Sequence, residues 1–447
     1  MGTLRLRLER AFVDGAVRPG VVVTIADGRF VQVEVGGSTQ GATDVPGLVV
    51  PGIANTHSHA FHRGLRGRTQ RGTGSFWTWR EQMYAAAAGL TPAGYEQLAT
   101  AVFAEMVVNG YSAVGEFHYL HHDATGAPYA GTDEHGMELA LGRAAKAAGI
   151  RLVLLDTCYL QGGLDALGNA IELNETQRRF TDGDAAGWLA RHARLREALA
   201  ELDAGEGLLS LGAAIHSVRA VPPAQLEAIA AGLDPALPLH VHLSEQPAEN
   251  ASCQAAFGLS PTGLLERHGL LAPRLSAVHA THLSDADIAA LGAAGAGIVM
   301  CPTTEADLGD GIGPARELAD AGAVISLGSD QHAVLDPYLE QRALEHGERL
   351  RSGQRGRFSP AEISAAAREG GLRSLGLAEN EDHLVVRTDT MRTSGSRTAQ
   401  LPLSATAADV AQVHVNGKLV ASNGLHTTLG DPADLYAAFF TEYPEFS

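Results

Sequence analysis

The sequence predicts an α/β fold: a (β/α)8 TIM-type barrel with a small composite β-sandwich domain built from both chain ends. Three observations carry that expectation. From about residue 48, short apolar runs alternate with Ala-rich helical stretches, which is the signature of βα units and a parallel sheet. Eight such runs can be counted, which suggests a closed barrel. Histidines and an aspartate fall where the runs end, and in a closed barrel the functional residues come from the C-terminal strand ends and the loops that follow them.

Taken in order, residues 3–35 alternate apolar and polar (LRLRLERAFV, VVVTIADGRFVQVEV), the period-two signal of antiparallel strands, with a turn at Asp27-Gly28. Barrel strands are then expected at 48–54, 112–117, 151–157, 208–215, 237–243, 275–280, 296–301 and 323–328. Helical segments such as 92–109, 136–148, 185–203, 223–231, 284–293 and 314–321 lie between them. After residue 383 the β pattern returns (DHLVVRTD, VAQVHVNGKLVASNG), followed by a short helical tail near 432–440. Each chain end alone has too few strands to be stable, so the two sets are expected to pair beside the barrel and seat the termini together. The expected organisation is 1–47 as the first part of the β domain, 48–382 as a metal-dependent barrel, and 383–447 as the second part with the terminal helix.

A chain of 447 residues exceeds what one small core uses, which suits a large domain with an accessory one. The formal charge of −18 argues against nucleic acid or an anionic membrane as partner, and an acidic substrate would need local arginines to overcome it. No stretch approaches the ~18 apolar residues of a membrane span, and the N-terminal residues lack the apolar core of a signal peptide, so a cytoplasmic location is expected. Cys158, Cys253 and Cys301 are widely spaced and outside any CxxC pair; they read as buried apolar residues rather than a disulfide framework or a thiolate metal site.

His57 and His59 (PGIANTHSHAFHRG), His242 (LPLHVHLSEQ) and Asp330 (ISLGSDQH) supply three imidazoles and a carboxylate, the inventory of a hydrolytic metal site. A divalent cation held by such ligands with one position open lowers the pKa of bound water from near 16 to about 7. An H-x-H pair alone is a weak signal, because alternate residues of any strand face one side. The spacing of His242 and Glu245 places a carboxylate one loop step from a metal, where it can shuttle a proton, though it also suits a core histidine beside a surface glutamate. Position joins these signals: His57 and His59 follow the first strand, His216 the fourth, His242 and His279 end the fifth and sixth, and Asp330 follows the eighth.

The strings PGIANTHSHAF, HVHLSEQ, VHATH and GSDQH resemble the amidohydrolase superfamily in its mononuclear deaminase branch. SFWTWREQMY (75–84), EFHYLHHD (116–123), HSVRAVPP (216–223) and TTEADLGDGIGPA (303–315) resemble the N-formimino-L-glutamate deiminase family of histidine degradation, through roughly residues 48–350. The resemblance implies a homodimeric enzyme with one Zn2+ per chain, or Fe2+ or another divalent metal, converting N-formimino-L-glutamate and water to N-formyl-L-glutamate and ammonia. It makes His57, His59, His242 and Asp330 the metal ligands, and Glu245 and His279 the catalytic pair, with Asp330 as a second proton acceptor. It also gives Arg80 and Arg219 to the two substrate carboxylates, which guanidinium groups match in a bidentate way, with Tyr119 and His216 adding hydrogen bonds. Arg80 beside Trp77 and Trp79 also suits plain stacking on an aromatic face, and Arg219 a solvated position. His62 departs from the family pattern, which places a glutamine near the substrate; imidazole replaces one amide donor or acceptor but not both at once.

Binuclear relatives bridge two metals with a carboxylated lysine, whereas Lys146 in an expected helix and Lys418 in the C-terminal strands sit far from the barrel mouth. Glu116 is expected to be structural. A deaminase of a purine, pyrimidine or other cyclic amidine, which needs stacking rather than paired arginines, remains open, as does a non-catalytic metal-binding scaffold. His121 and His122 read as a polar loop, His135, His192, His268, His346, His414 and His426 as surface positions, and Gly309, Gly311 and Gly313 as a loop lining the pocket.

Overall fold

The computed structural model describes residues 3–26, 29–70, 74 and 76–446, so the turn expected at Asp27-Gly28 lies outside the described residues. Its centre is a parallel sheet of eight strands, adjacent in chain order: β1 (Ile53–Ser58), β2 (Tyr111–His118), β3 (Arg151–Cys158), β4 (Leu209–Ile215), β5 (Leu239–Leu243), β6 (Leu275–His279), β7 (Gly297–Met300) and β8 (Val324–Leu327). A parallel bridge between Ser58 and Asp330 closes the ring. The amides of Ser329 and Asp330 reinforce it by donating to the His57 carbonyl. The predicted TIM-type barrel is therefore the observed fold. Every residue of β2, β5 and β6 is buried, so these strands have no solvent-facing side, and the polar residues they carry, such as Glu116, His240 and His242, are buried as well.

The helices Pro92–Asn109, Gly136–Ala148 and Ala185–Asp203 have the bounds read from the sequence. The first shows why: the Thr91 hydroxyl accepts from the Gly94 amide, a proline opens the helix, and Gly110 ends it at φ 110°. The run 48–54 is different, because it divides between two strands. Thr43–Pro51 belongs to the second sheet and β1 begins at Ile53. Gly52 makes the break: its amide donates to the Asp382 carbonyl at 2.6 Å, and a Cβ there would collide with the Ser112 and Asp382 side chains.

Strands from both chain ends form one eight-stranded sheet in the order Leu425–His426, Lys418–Ser422, Val410–Val415, His383–Val386, Thr43–Pro51, Leu4–Val13, Ala16–Ala26, Arg29–Val35. It has a small core of its own around Leu8, Val21, Val23, Val49 and Val385. The terminal helix Pro432–Glu442 starts at Asp431 and lies on helix Pro92–Asn109, where the Tyr436 hydroxyl donates to Glu105 at 2.5 Å.

His121 and His122 lie in a loop, as read, but a buried one, and three histidines read as surface positions, His135, His192 and His426, are buried. His426 is satisfied by donating to the Ala148 carbonyl at 3.0 Å, and His192 pairs with Asp156 at 3.0 Å. His346 is exposed, and His268 and His414 are partly so. All three cysteines are free and buried. Lys146 lies in helix Gly136–Ala148, donating to the Leu202 carbonyl, and Lys418 opens a strand of the end sheet. Among the described residues, no helix is long and apolar enough to cross a membrane.

Candidate active site

The barrel's C-terminal end is strained as well as polar. Ser244, His279, Ala280, Asp330 and His332 all adopt positive φ, between 41° and 66°, where the chain leaves β5, β6 and β8. Non-glycine residues hold this conformation only where surrounding structure enforces it, and such positions concentrate at functional sites. Gly328 matters for the opposite reason: a Cβ there would stand 2.7 Å from the His57 Cβ, so the LGSD turn needs glycine to let β1 approach.

Here His57, His59, His242 and Asp330 converge. The His59 Nδ1 lies 2.8 Å from the Phe117 carbonyl and the His242 Nδ1 2.9 Å from that of His216. Carbonyls only accept, so both Nδ1 atoms carry the proton and both Nε2 atoms present lone pairs inward. His57 Nε2 stands 3.2 Å from His242 Nε2 and 3.3 Å from Asp330 Oδ1, and His59 Nε2 stands 3.4 Å from the same oxygen. A tetrahedral zinc with bonds of ~2.0–2.1 Å has ligand–ligand edges of about 3.3–3.4 Å, so the donor set fits such an ion. Within this cluster, two overlapping groups are close enough to share one: His57 with His59 and Asp330, and His57 with His242 and His279. Burial lowers the pKa of His57 and His242, and burial with the neighbouring His57 pushes His59 down to about 3, which keeps the rings neutral as ligands must be. Burial works against the Asp330 carboxylate, but His57, His279 and His59 outweigh it and hold it well below the usual range.

Glu245 and His279 face each other at 3.8 Å. Burial raises the Glu245 carboxyl above its ordinary value. His279 is also buried, which disfavours its charge, but Glu245, Glu305 and Asp330 outweigh that and push it up to about 10. Glu305 stands 3.5 Å from the other ring nitrogen of His279, a contact that sequence reasoning missed although Glu305 lies within TTEADLGDGIGPA. Asp310 and Glu249 were missed too. Burial and Glu245 push Asp310 up to about 8, Gln246 donates to it at 2.5 Å, and burial pushes Glu249 up to about 7. Glu116 is structural, as expected: it accepts from Ser58 at 2.5 Å and from the Ala60 amide at 2.6 Å, pinning the turn that carries His59.

The cluster opens into a cavity of about 500 Å³ whose wall includes Arg80, Tyr119, His216, Arg219, Glu245 and His279. His62 reaches it as well, 3.1 Å from the Tyr119 hydroxyl. Arg80 lies on the helix Phe76–Gly89, within cation–π reach of Trp77 and Tyr84. Arg80 and Arg219 have no carboxylate within ion-pair distance among the described residues. Of the glycine loop, Leu308 meets this cavity, whereas Gly311 and Gly313 line a separate one beside Met300 and Leu344.

Residues 48–384 match the amidohydrolase family. The formimidoylglutamate deiminase of Pseudomonas aeruginosa is 40% identical over 361 residues, covering 78% of this chain and 77% of that one. The 8-oxoguanine deaminase of the same organism is 29% identical over 387 residues, covering 83% and 81%. A crystal structure of an amidohydrolase from Brucella melitensis superposes with a TM-score of 0.88 at 31% identity, covering 99% of each chain. With the barrel, the strand-end cluster and these likenesses together, the chain belongs to the amidohydrolase family and, within it, to the formimidoylglutamate deiminase family.

Proposed function

We propose that the protein is a zinc-dependent hydrolase converting N-formimino-L-glutamate and water to N-formyl-L-glutamate and ammonia. Its membership among hydrolases of C–N bonds sets the reaction class. The observation that carries the substrate is the pair Arg80 and Arg219, two guanidinium groups without acidic partners among the described residues, in one cavity of a chain with net charge −18. A ligand with two carboxylates supplies what they lack. The 40% identity to formimidoylglutamate deiminase supports the same substrate.

His57, His59, His242 and Asp330 are the residues that would hold the zinc. When bound there, the cation lowers the pKa of water from near 16 to about 7 and so makes a nucleophile available at neutral pH. Glu245 takes a proton from the attacking water and passes it to the terminal nitrogen; its raised proton affinity suits it to both halves of that transfer. His279 hydrogen-bonds the oxygen as the formimino carbon becomes tetrahedral. Water adds across the C=N bond, the bond to the protonated nitrogen breaks, and ammonia leaves with the formyl group remaining on glutamate. Asp330 serves as the second proton acceptor, while Tyr119, His216 and His62 hydrogen-bond the substrate held by Arg80 and Arg219.

A second reading draws on the aromatic wall of the cavity, where Trp79, Tyr84, Tyr159 and Phe180 offer stacking faces for a cyclic amidine, and on the 29% identity to 8-oxoguanine deaminase. Ammonia release from N-formimino-L-glutamate, N-formimino-L-aspartate, guanine and cytosine, measured on metal-analysed protein, separates the two. The expected result is turnover of N-formimino-L-glutamate above the rest. Preference for either ring, or inactivity on all four, would overturn the proposal.

A further inference from the structure

Behind the cavity wall, β2, β3 and the helices Gly136–Ala148 and Ala185–Asp203 enclose a second cluster that the deiminase chemistry does not use. His118 at the end of β2, His121 in the following turn and Glu138 in the first turn of its helix are each at most 1% exposed, and none lines the cavity. Their ligand atoms lie within 4.8 Å of one another.

The hydrogen-bond chemistry of this cluster is incomplete. His121 Nε2 lies 2.9 Å from the Thr157 carbonyl, which only accepts, so that nitrogen carries the proton and Nδ1 is the lone-pair atom of the neutral ring. Yet Nδ1 faces the Glu138 Oε1 at 2.9 Å, another acceptor. His118 Nε2 is 3.7 Å from the same oxygen, and neither ring nitrogen of His118 has a partner among the described residues, nor has Glu138 Oε2. A ring whose second nitrogen donates to a backbone carbonyl is how metal-ligating histidines are held.

Charge points the same way. Glu138, Asp156 and Asp182 share one guanidinium, Arg191, at 3.0, 2.8 and 2.9 Å; His192 and His122 also face Asp156 and Asp182, at 3.0 and 3.3 Å, whereas Glu138 has beside that arginine only the two histidines of this cluster. A divalent cation beside Glu138 adds positive charge where three carboxylates share a single arginine. A doubly protonated His121 satisfies the contact with Glu138 Oε1 but leaves His118 and Glu138 Oε2 without partners among the described residues.

We propose that His118, His121 and Glu138 form a second, structural site for a divalent transition metal, separate from the cavity, with zinc as the ion its nitrogen and oxygen donors suit. It ties β2 to helix Gly136–Ala148 and fixes the turn after Tyr119. The amides of His121 and His122 donate to the Arg179 carbonyl, so the segment bearing Phe180 of the cavity wall is held by the same turn.

The test begins with metal-free full-length protein equilibrated with Zn2+ alone, freed of unbound ion and analysed for zinc. Two ions per chain are expected in the wild type, and one in His118→Ala and in Glu138→Gln. Anomalous difference maps at the zinc edge from wild-type crystals, which need no variant to fold, should show one peak at His57, His59, His242 and Asp330 and another bounded by His118, His121 and Glu138. One ion per chain in the wild type, no peak at the second position, or two ions retained by both variants would overturn the proposal.

Discussion

Two buried groups of histidines and carboxylates flank β2, and they settle their charges differently. Behind the wall, burial works against ionising Glu138, Asp156 and Asp182, but Arg191 and the surrounding histidines outweigh it and hold all three below the usual carboxylate range. Around Glu245, away from the imidazoles that hold Asp330 low, burial wins: Glu245 is raised, Glu249 reaches about 7 and Asp310 about 8, while Arg80 and Arg219 line the cavity with no carboxylate at ion-pair distance among the described residues. Paired charge marks where the fold needs the residues. Guanidinium charge with no carboxylate at ion-pair distance among the described residues, as at Arg80 and Arg219, marks where an anionic ligand completes the set.

The largest effect expected from this contrast follows removal of the cation at the cavity. Chelation, or Asp330→Asn, should reduce ammonia release to the background rate, with added zinc restoring only the wild type. Glu245→Gln should lower kcat by about 10²–10⁴-fold while zinc content, read by metal analysis, stays unchanged. Arginine variants then divide by location. Arg191→Met removes the one guanidinium shared by three buried carboxylates and should cost about 3–5 kcal/mol in urea unfolding. Arg80→Met and Arg219→Met should instead leave the unfolding midpoint unchanged or raised, and lower kcat/KM by about 2–5 kcal/mol. Unfolding losses of equal size in all three would erase the distinction between the groups.

The smallest effect is in pH dependence. Glu249 has a folded pKa of about 7 against an ordinary 4.5, so its contribution to stability is full below about pH 4.5 and is lost as pH rises through 7. Asp156 has the opposite sign: held low when folded, it contributes above its ordinary 3.8 and loses that contribution as pH falls below it. Urea midpoints measured between about pH 5 and 8 should therefore decline less steeply in Glu249→Gln than in the wild type. Parallel profiles would contradict the burial argument.

The barrel was legible because its buried strands leave short, mainly apolar runs between Ala-rich helical stretches, with His57, His242, His279 and Asp330 at or just after their ends. Run length could not reveal that 48–54 divides at Gly52, since that break depends on Asp382 and Ser112, distant in the chain. The surface reading of His192 fails for a related reason, as the polar-loop reading of His121 misses its burial: a histidine's burial depends on partners such as Asp156 and Glu138, and polarity alone does not show them. Glu305 stayed hidden because nothing local to it announces the ring of His279, 26 positions earlier.

The central claim is that the cavity reads charge at both ends of its substrate. Its most direct measurement is wild-type kcat/KM for N-formimino-L-glutamate against N-formimino-L-glutamine, which replaces one carboxylate by an amide of nearly the same shape. The expected result is a loss of about 2–5 kcal/mol with the amide, abolished in whichever of Arg80→Met and Arg219→Met removes the matching guanidinium. Equal turnover of the two compounds by the wild-type enzyme would contradict it.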